Sequence, residues 1–127
     1  MKPPTQPTSV SSLLDAYASG QRSFSGISLT NATLTGANLK GADFSYADFS
    51  GTDLSQANLR GADLSYAVLQ QTNLSQANLR GAMLIGTDLQ HAILSGTDLT
   101  DADYDRESTR LPDQFDPEAA RLKSDRP

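Results

Sequence analysis

Every fifth residue from Phe24 to Tyr104 is Leu, Phe or Tyr, seventeen in succession, and Ala or Thr stands two places before fifteen of them. A strand alternates its faces every two residues and a helix turns every 3.6, so neither element could gather this apolar set on one side. The chain must instead coil with a pitch of its own, as a repeat solenoid. The octapeptide SQANLRGA at Ser55 to Ala62 recurs at Ser75 to Ala82, an offset of 20 residues, but segments opening GTDL at Gly51, Gly86 and Gly96 are spaced by 35 and 10. The five-residue beat therefore rests on the residues themselves, whereas a 20-residue superperiod is supported only in part.

The units ADFSY, ADFSG, TDLSQ, ANLRG, ADLSY, TNLSQ, ANLRG and TDLQH resemble the A(D/N)LXX pattern of the pentapeptide-repeat family, from about Arg22 to Arg106. The resemblance implies an all-β solenoid: a right-handed quadrilateral parallel β-helix of a little over four coils. In it each pentapeptide forms one side of a square, and short α-helical caps close one or both ends. The central residues Phe24, Leu29, Leu34, Leu39, Phe44, Phe49, Leu54, Leu59, Leu64, Leu69, Leu74, Leu79, Leu84, Leu89, Leu94, Leu99 and Tyr104 point inward and form the core. The residue two places earlier, such as Ala37, Ala42, Ala57 or Thr72, also points inward, where a narrow tube has room only for a methyl or a small hydroxyl. The other three positions face water. Eight of the nine glycines fall two places after the central residue, where the square turns and a positive φ is often needed. Tyr46, Tyr66, Gln56, Gln76 and His91 share that position, which suggests that some corners do without it.

Four segments follow: a disordered tail over 1–10, a capping helix within 11–21, the β-helix over 22–106, and a cap or tail over 107–127 with a short helix near 117–123. Ser12 is the expected N-cap, with Leu13, Leu14 and Tyr17 as the apolar face and Gly20 as the stop. The phrase LLDAYASGQRSFSGISL resembles the lead-in of many cyanobacterial pentapeptide proteins, and YDRESTRLPDQFDPEAARL resembles their closing segment. In the latter, Asp116 would cap a helix begun by Pro117, with Glu118 in its first turn and Leu111, Phe115 and Leu122 covering the open coil. Both flanks read as caps, with a docking tail as the alternative.

At 127 residues the chain supports one domain. It has no apolar run near the ~20 residues of a membrane span, and its N-terminus shows no secretory pattern, so a cytoplasmic location is expected. A net charge of −5 disfavours direct nucleic-acid binding, because neutralising phosphates needs a basic surface.

Catalysis has little to stand on. His91 is the single histidine and there is no cysteine, which rules out a Ser-His-Asp set built around any other residue and every Cys-His pair. Asp43, Asp48, Asp53, Asp63, Asp88, Asp98 and Asp103 occupy the family's ordinary position before the central residue, and no phosphate-binding glycine motif is present. The expectation is a protein that is not an enzyme and that has no cofactor and no metal.

What remains is a patterned surface. With four units per coil, Lys40, Arg60 and Arg80 fall in one column beside Asn38, Asn58 and Asn78, a basic stripe on an otherwise acidic rod. Tyr46 and Tyr66 share another column, Met83 and Ile85 replace polar residues around Leu84, and Val68 and Ile93 are further apolar substitutions. Exposed apolar surface of this kind marks an interface with a protein partner, with a second copy, or with the chain's own Phe115. The leading reading is a non-catalytic protein-interaction module, regulatory in character, present as a monomer or weak homodimer. Its rivals are a structural or stress accessory and the family's duplex-DNA mimics that bind type II topoisomerases. The short rod and the basic stripe fit such mimicry poorly.

Overall fold

The computed structural model describes residues 6–124; positions 1–5 of the expected tail and 125–127 lie outside them. From Ser23 onward the chain climbs one level every 20 residues, and parallel bridges connect each level to the next. Four columns of bridges define four walls: Ser23, Asp43, Asp63, Met83 and Asp103 on the first; Ser28, Asp48, Val68 and Asp88 on the second; Thr33, Asp53, Asn73 and Ile93 on the third; Asn38, Asn58, Asn78 and Asp98 on the fourth. The core lies inside. Sixteen of the seventeen central residues are buried, the exception being Leu94, half-buried near the C-terminal end.

A single unit shows why five residues suffice. In Thr52 to Gln56, the Thr52 N–H donates back to the Phe49 carbonyl at 3.0 Å and closes the corner, and Asp53 donates down to Ala32 at 2.9 Å. Leu54 and Gln56 donate up to Asn73 and Ser75 at 2.8 and 2.9 Å. The fifth N–H, that of Ser55, turns to the Asp53 carboxylate at 2.9 Å. Every backbone donor of the unit is thus satisfied.

Every corner from Gly26 to Asp101 lies at positive φ, including Tyr46 (62°), Gln56 (60°), Tyr66 (61°), Gln76 (62°) and His91 (62°). The expectation that non-glycine corners avoid that region is wrong. A left-handed side-chain residue costs roughly 1–2 kcal/mol, yet Tyr46, Gln56, Tyr66 and Gln76 are each held by a backbone bond to the next level, such as Tyr46 to the Ser65 carbonyl at 2.9 Å. Leaving the region would break the stack.

At the N-terminal end α1, Val10–Ala18, places Leu13 in the core, and its N-cap is Ser9 rather than Ser12. Ser12 is instead the third helical residue and reciprocates, its hydroxyl accepting the Ser9 N–H at 3.2 Å while Ser9 Oγ accepts the Ser12 N–H at 3.1 Å. The helix therefore starts inside the segment expected to be tail, and Gln6 reaches the Ser23 and Ser25 carbonyls at 3.4 Å. Gly20, at φ 104°, terminates it as expected.

The C-terminal helix near 117–123 is not formed. Asp116 does cap one turn, accepting the Glu118 N–H at 2.9 Å, but Arg121 adopts φ 63° and ends it. Asp101 then donates to the Arg121 carbonyl at 3.0 Å, and β2, Lys123–Ser124, pairs in parallel with β1, Asp103–Tyr104. A helix this short does not recover its nucleation cost, whereas joining the level below satisfies a whole row of backbone groups. Among the described residues no helix is long and apolar enough to cross a membrane.

Candidate functional site

The outward column before each central residue has a structural use that the spacing alone concealed. Asp43, Asp48, Asp53, Asp63, Asp88 and Asp98 each accept, through Oδ1, the backbone N–H two residues on, at 2.9 to 3.1 Å. Asn58, Asn73 and Asn78 do the same. These are Asx turns: Asp and Asn recur because their short side chains reach the one N–H that the solenoid cannot pair. Val68, Met83 and Ile93 supply no such acceptor. Val68→Asn should therefore stabilise the fold by about 0.5–1.5 kcal/mol, read as a higher denaturant midpoint at unchanged slope; no gain would show that water already serves the Gln70 N–H.

Two of these carboxylates have their pKa held below the ordinary 3.8. Asp53 is lowered first by the hydroxyl of Ser55 and then by its N–H, with Ser55 Oγ donating at 2.6 Å. Asp98 is lowered first by Thr100, and Arg80 adds to the effect. A carboxylate with a depressed folded-state pKa contributes stability above pH 3.8 that is lost as pH falls through the folded value. Asp53→Asn keeps the acceptor and removes the titration. The variant should lose less melting temperature than the native chain between pH 7 and pH 3, and an equal loss would place the acid sensitivity elsewhere.

Threonine at the inner small-residue position is equally purposeful. Thr72 and Thr87 donate their hydroxyls to the Phe49 and Leu64 carbonyls one level down, at 2.8 and 2.7 Å. Thr52 makes the same bond to Leu29. A buried hydroxyl without a partner would be costly; here the stack provides one at each site.

The expected surface residues fall in two places. Tyr46 and Tyr66 stack at 5.2 Å with their planes 14° apart, and remain 64% and 50% exposed. The Tyr66 ring folds over the next corner, Gly86, where a Cβ would come within 2.4 Å of it. Met83, 42% exposed, and the half-buried Ile85 lie on the first wall beside this corner. Phe115 packs partly buried against the core and leaves the tyrosines in solvent. Ile93 is exposed on the third wall, away from the rest.

On the fourth wall Lys40, Arg60 and Arg80 are all exposed, one above another, as Gly41 bonds the Arg60 carbonyl and Gly61 that of Arg80, both at 2.9 Å. Arg80 also contacts Asp98 one level up at 3.4 Å. Tyr17 of α1 donates to the Lys40 carbonyl at 2.7 Å and ties the helix to the foot of this column.

His91 borders a cavity of about 230 Å³ with Gln90, Leu111, Pro112 and Asp113. No second imidazole and no thiol stands beside it. Among the described residues no group of three or more His, Asp or Glu is placed to hold a metal ion.

Comparison with known proteins gives this geometry a setting. No curated protein matches the chain. The crystal structure of alr5209, a pentapeptide repeat protein from Nostoc PCC 7120, is 44% identical over 94% of this chain and 99% of that one, with a TM-score of 0.91. A pentapeptide repeat protein from the Arabidopsis thaliana thylakoid lumen is 40% identical over 73% of this chain and 61% of that one, with a TM-score of 0.51. Residues 23–61 and 62–101 match the family described as pentapeptide repeats, in 8 copies. With this match and the 20-residue register of its bridges, the chain belongs to the pentapeptide-repeat family.

Proposed function

We propose that the chain is a non-catalytic, regulatory protein-interaction module of the cytoplasm. In this reading it is a right-handed quadrilateral β-helix of a little over four coils, closed by α1, that works as a monomer or weak homodimer. Its rigid walls hold side chains in fixed columns for a protein partner to meet, and it carries no cofactor. The observation that supports this most is the stacked pair of Tyr46 and Tyr66, large aromatic rings left in solvent at left-handed corners where glycine would sit without strain. Backbone strain retained under an exposed aromatic is a pointer to function, and Met83 extends the apolar surface next to it.

The test is affinity capture from the source cell's lysate with the native chain and with Tyr46→Asn/Tyr66→Asn. Asparagine tolerates the left-handed corner best among the alternatives to glycine, so the variant should keep its melting temperature within a few degrees. Loss of retained protein at unchanged stability supports the reading. An identical set of retained proteins overturns it.

A further inference from the structure

Below Asp98, the fourth wall presents an unbroken run of hydrogen-bond donors. At each of three successive levels it shows one exposed cation, Lys40, Arg60 or Arg80, and lysine and arginine have no acceptor atom. The neighbouring column is asparagine at the same levels, and each Asn oxygen accepts the backbone N–H of the cation two residues on, at 3.4, 3.1 and 3.0 Å. The amide nitrogens of these asparagines add two N–H donors beside each cation. Aspartate holds six of the thirteen equivalent positions named on the other three walls, so a donor-rich, cationic strip runs along a chain whose net charge is −5.

The complement of such a strip is a row of groups that only accept, which describes carboxylates at neutral pH. Spacing selects how the row is presented. Stacked levels of parallel bridges stand about 4.8 Å apart, and acidic residues at i, i+4 and i+7 of an α-helix recur close to its 5.4 Å pitch. Same-face residues of an extended strand recur every ~6.8 Å, so over two steps a helix misses the cations by about 1 Å and a strand by about 4 Å.

Building on the reading of the chain as an interaction module, but independently of the tyrosine corner, we propose that Lys40, Arg60 and Arg80 with their asparagines dock an acidic α-helix of a partner protein, lying parallel to the solenoid axis. The Arg80–Asp98 contact, exposed on both sides, is then an internal stand-in for the partner's carboxylate, displaced on docking.

The probe is a fluorescein-labelled, alanine-based helical 15-mer with glutamates at i, i+4 and i+7, titrated by fluorescence anisotropy with the full chain at low salt, where surface charges are least screened. Three competitors accompany it: the same composition with glutamates spread around the helix, an extended peptide alternating Glu and Thr with a central proline, and a short DNA duplex. The aligned helix should bind at least about tenfold more tightly than either rearranged peptide, a difference of about 1.4 kcal/mol. Raising the salt should weaken it. Lys40→Gln/Arg60→Gln/Arg80→Gln should abolish binding with the circular dichroism spectrum unchanged, and Asp98→Asn should tighten it about two- to fivefold by freeing Arg80. Equal binding of the three peptides, preference for the duplex, no measurable binding of the aligned helix, or an unaffected triple variant would each overturn the proposal. Lysate capture by the tyrosine corner is unaffected by any of these results, so the two readings fail separately.

Discussion

Phe44→Ala is expected to destabilise the protein by about 3–5 kcal/mol, the largest effect of any single truncation along the tube. Phe44 is fully buried, stacked on Phe24 at 5.6 Å and edge-on to Phe49 at 5.1 Å. Most cores relax partway into the space left by a lost ring. Here the surrounding backbone is pinned on both sides, since the Phe24 N–H bonds Asp43 at 2.8 Å below and the Phe44 N–H bonds Asp63 at 2.7 Å above. A wall cannot move inward without breaking that ladder, so the cavity stays open. Leucine, which fills the same column one level up at Leu64, should restore most of the loss. Equilibrium denaturation followed by far-UV circular dichroism measures both variants; a cost below about 1 kcal/mol for alanine would mean that the tube collapses and that its walls are softer than argued.

Leu13→Asp should be comparably damaging, for a different reason. Leu13 is the one fully buried residue of α1 and is part of the same core as Phe24. Removing its side chain costs about 2–5 kcal/mol, and placing a carboxylate there adds an uncompensated burial penalty. The helix should lift off and uncover the first level, whose free edge is a template for pairing with another chain. Repeat proteins need a terminal cap for this reason. The expected results are a melting temperature lowered by many degrees and a concentration-dependent rise in mass by light scattering. A monodisperse variant of unchanged stability would show that α1 is an appendage.

How far the residues themselves reveal this molecule differs from part to part. The core was legible because Phe24 through Tyr104 keep one spacing without a break, and no alternative fold hides that set. The Asx turns were visible as a bias toward Asp and Asn but not as a mechanism, since nothing in the spacing says that Ser55 lacks a backbone partner. The same holds for Thr72, whose acceptor at Phe49 lies 23 residues away. Corner geometry misled: a tyrosine or glutamine in the usual place of glycine suggests a relaxed turn, yet Tyr46 and Gln56 adopt the same left-handed backbone as Gly41 at φ 71°. At the C-terminus the local signal for a helix at Asp116 and Pro117 was real and yielded one capped turn, until pairing of Lys123 with the Ala102 carbonyl at 2.8 Å took the chain back into the stack.

The linear order of residues by itself determined the period, the inward set and the small neighbour each member requires, because those properties depend on side-chain size and polarity repeated at fixed intervals. Only the tertiary structure decided where α1 begins, how the last turns close, and that the 20-residue level implied by the family resemblance is the one that stacks three cations and three asparagines on one wall. Those outcomes depend on backbone hydrogen bonds between residues about 20 apart, and such bonds are made by main-chain groups common to nearly every residue, so they leave no mark in the identity of the amino acids they join.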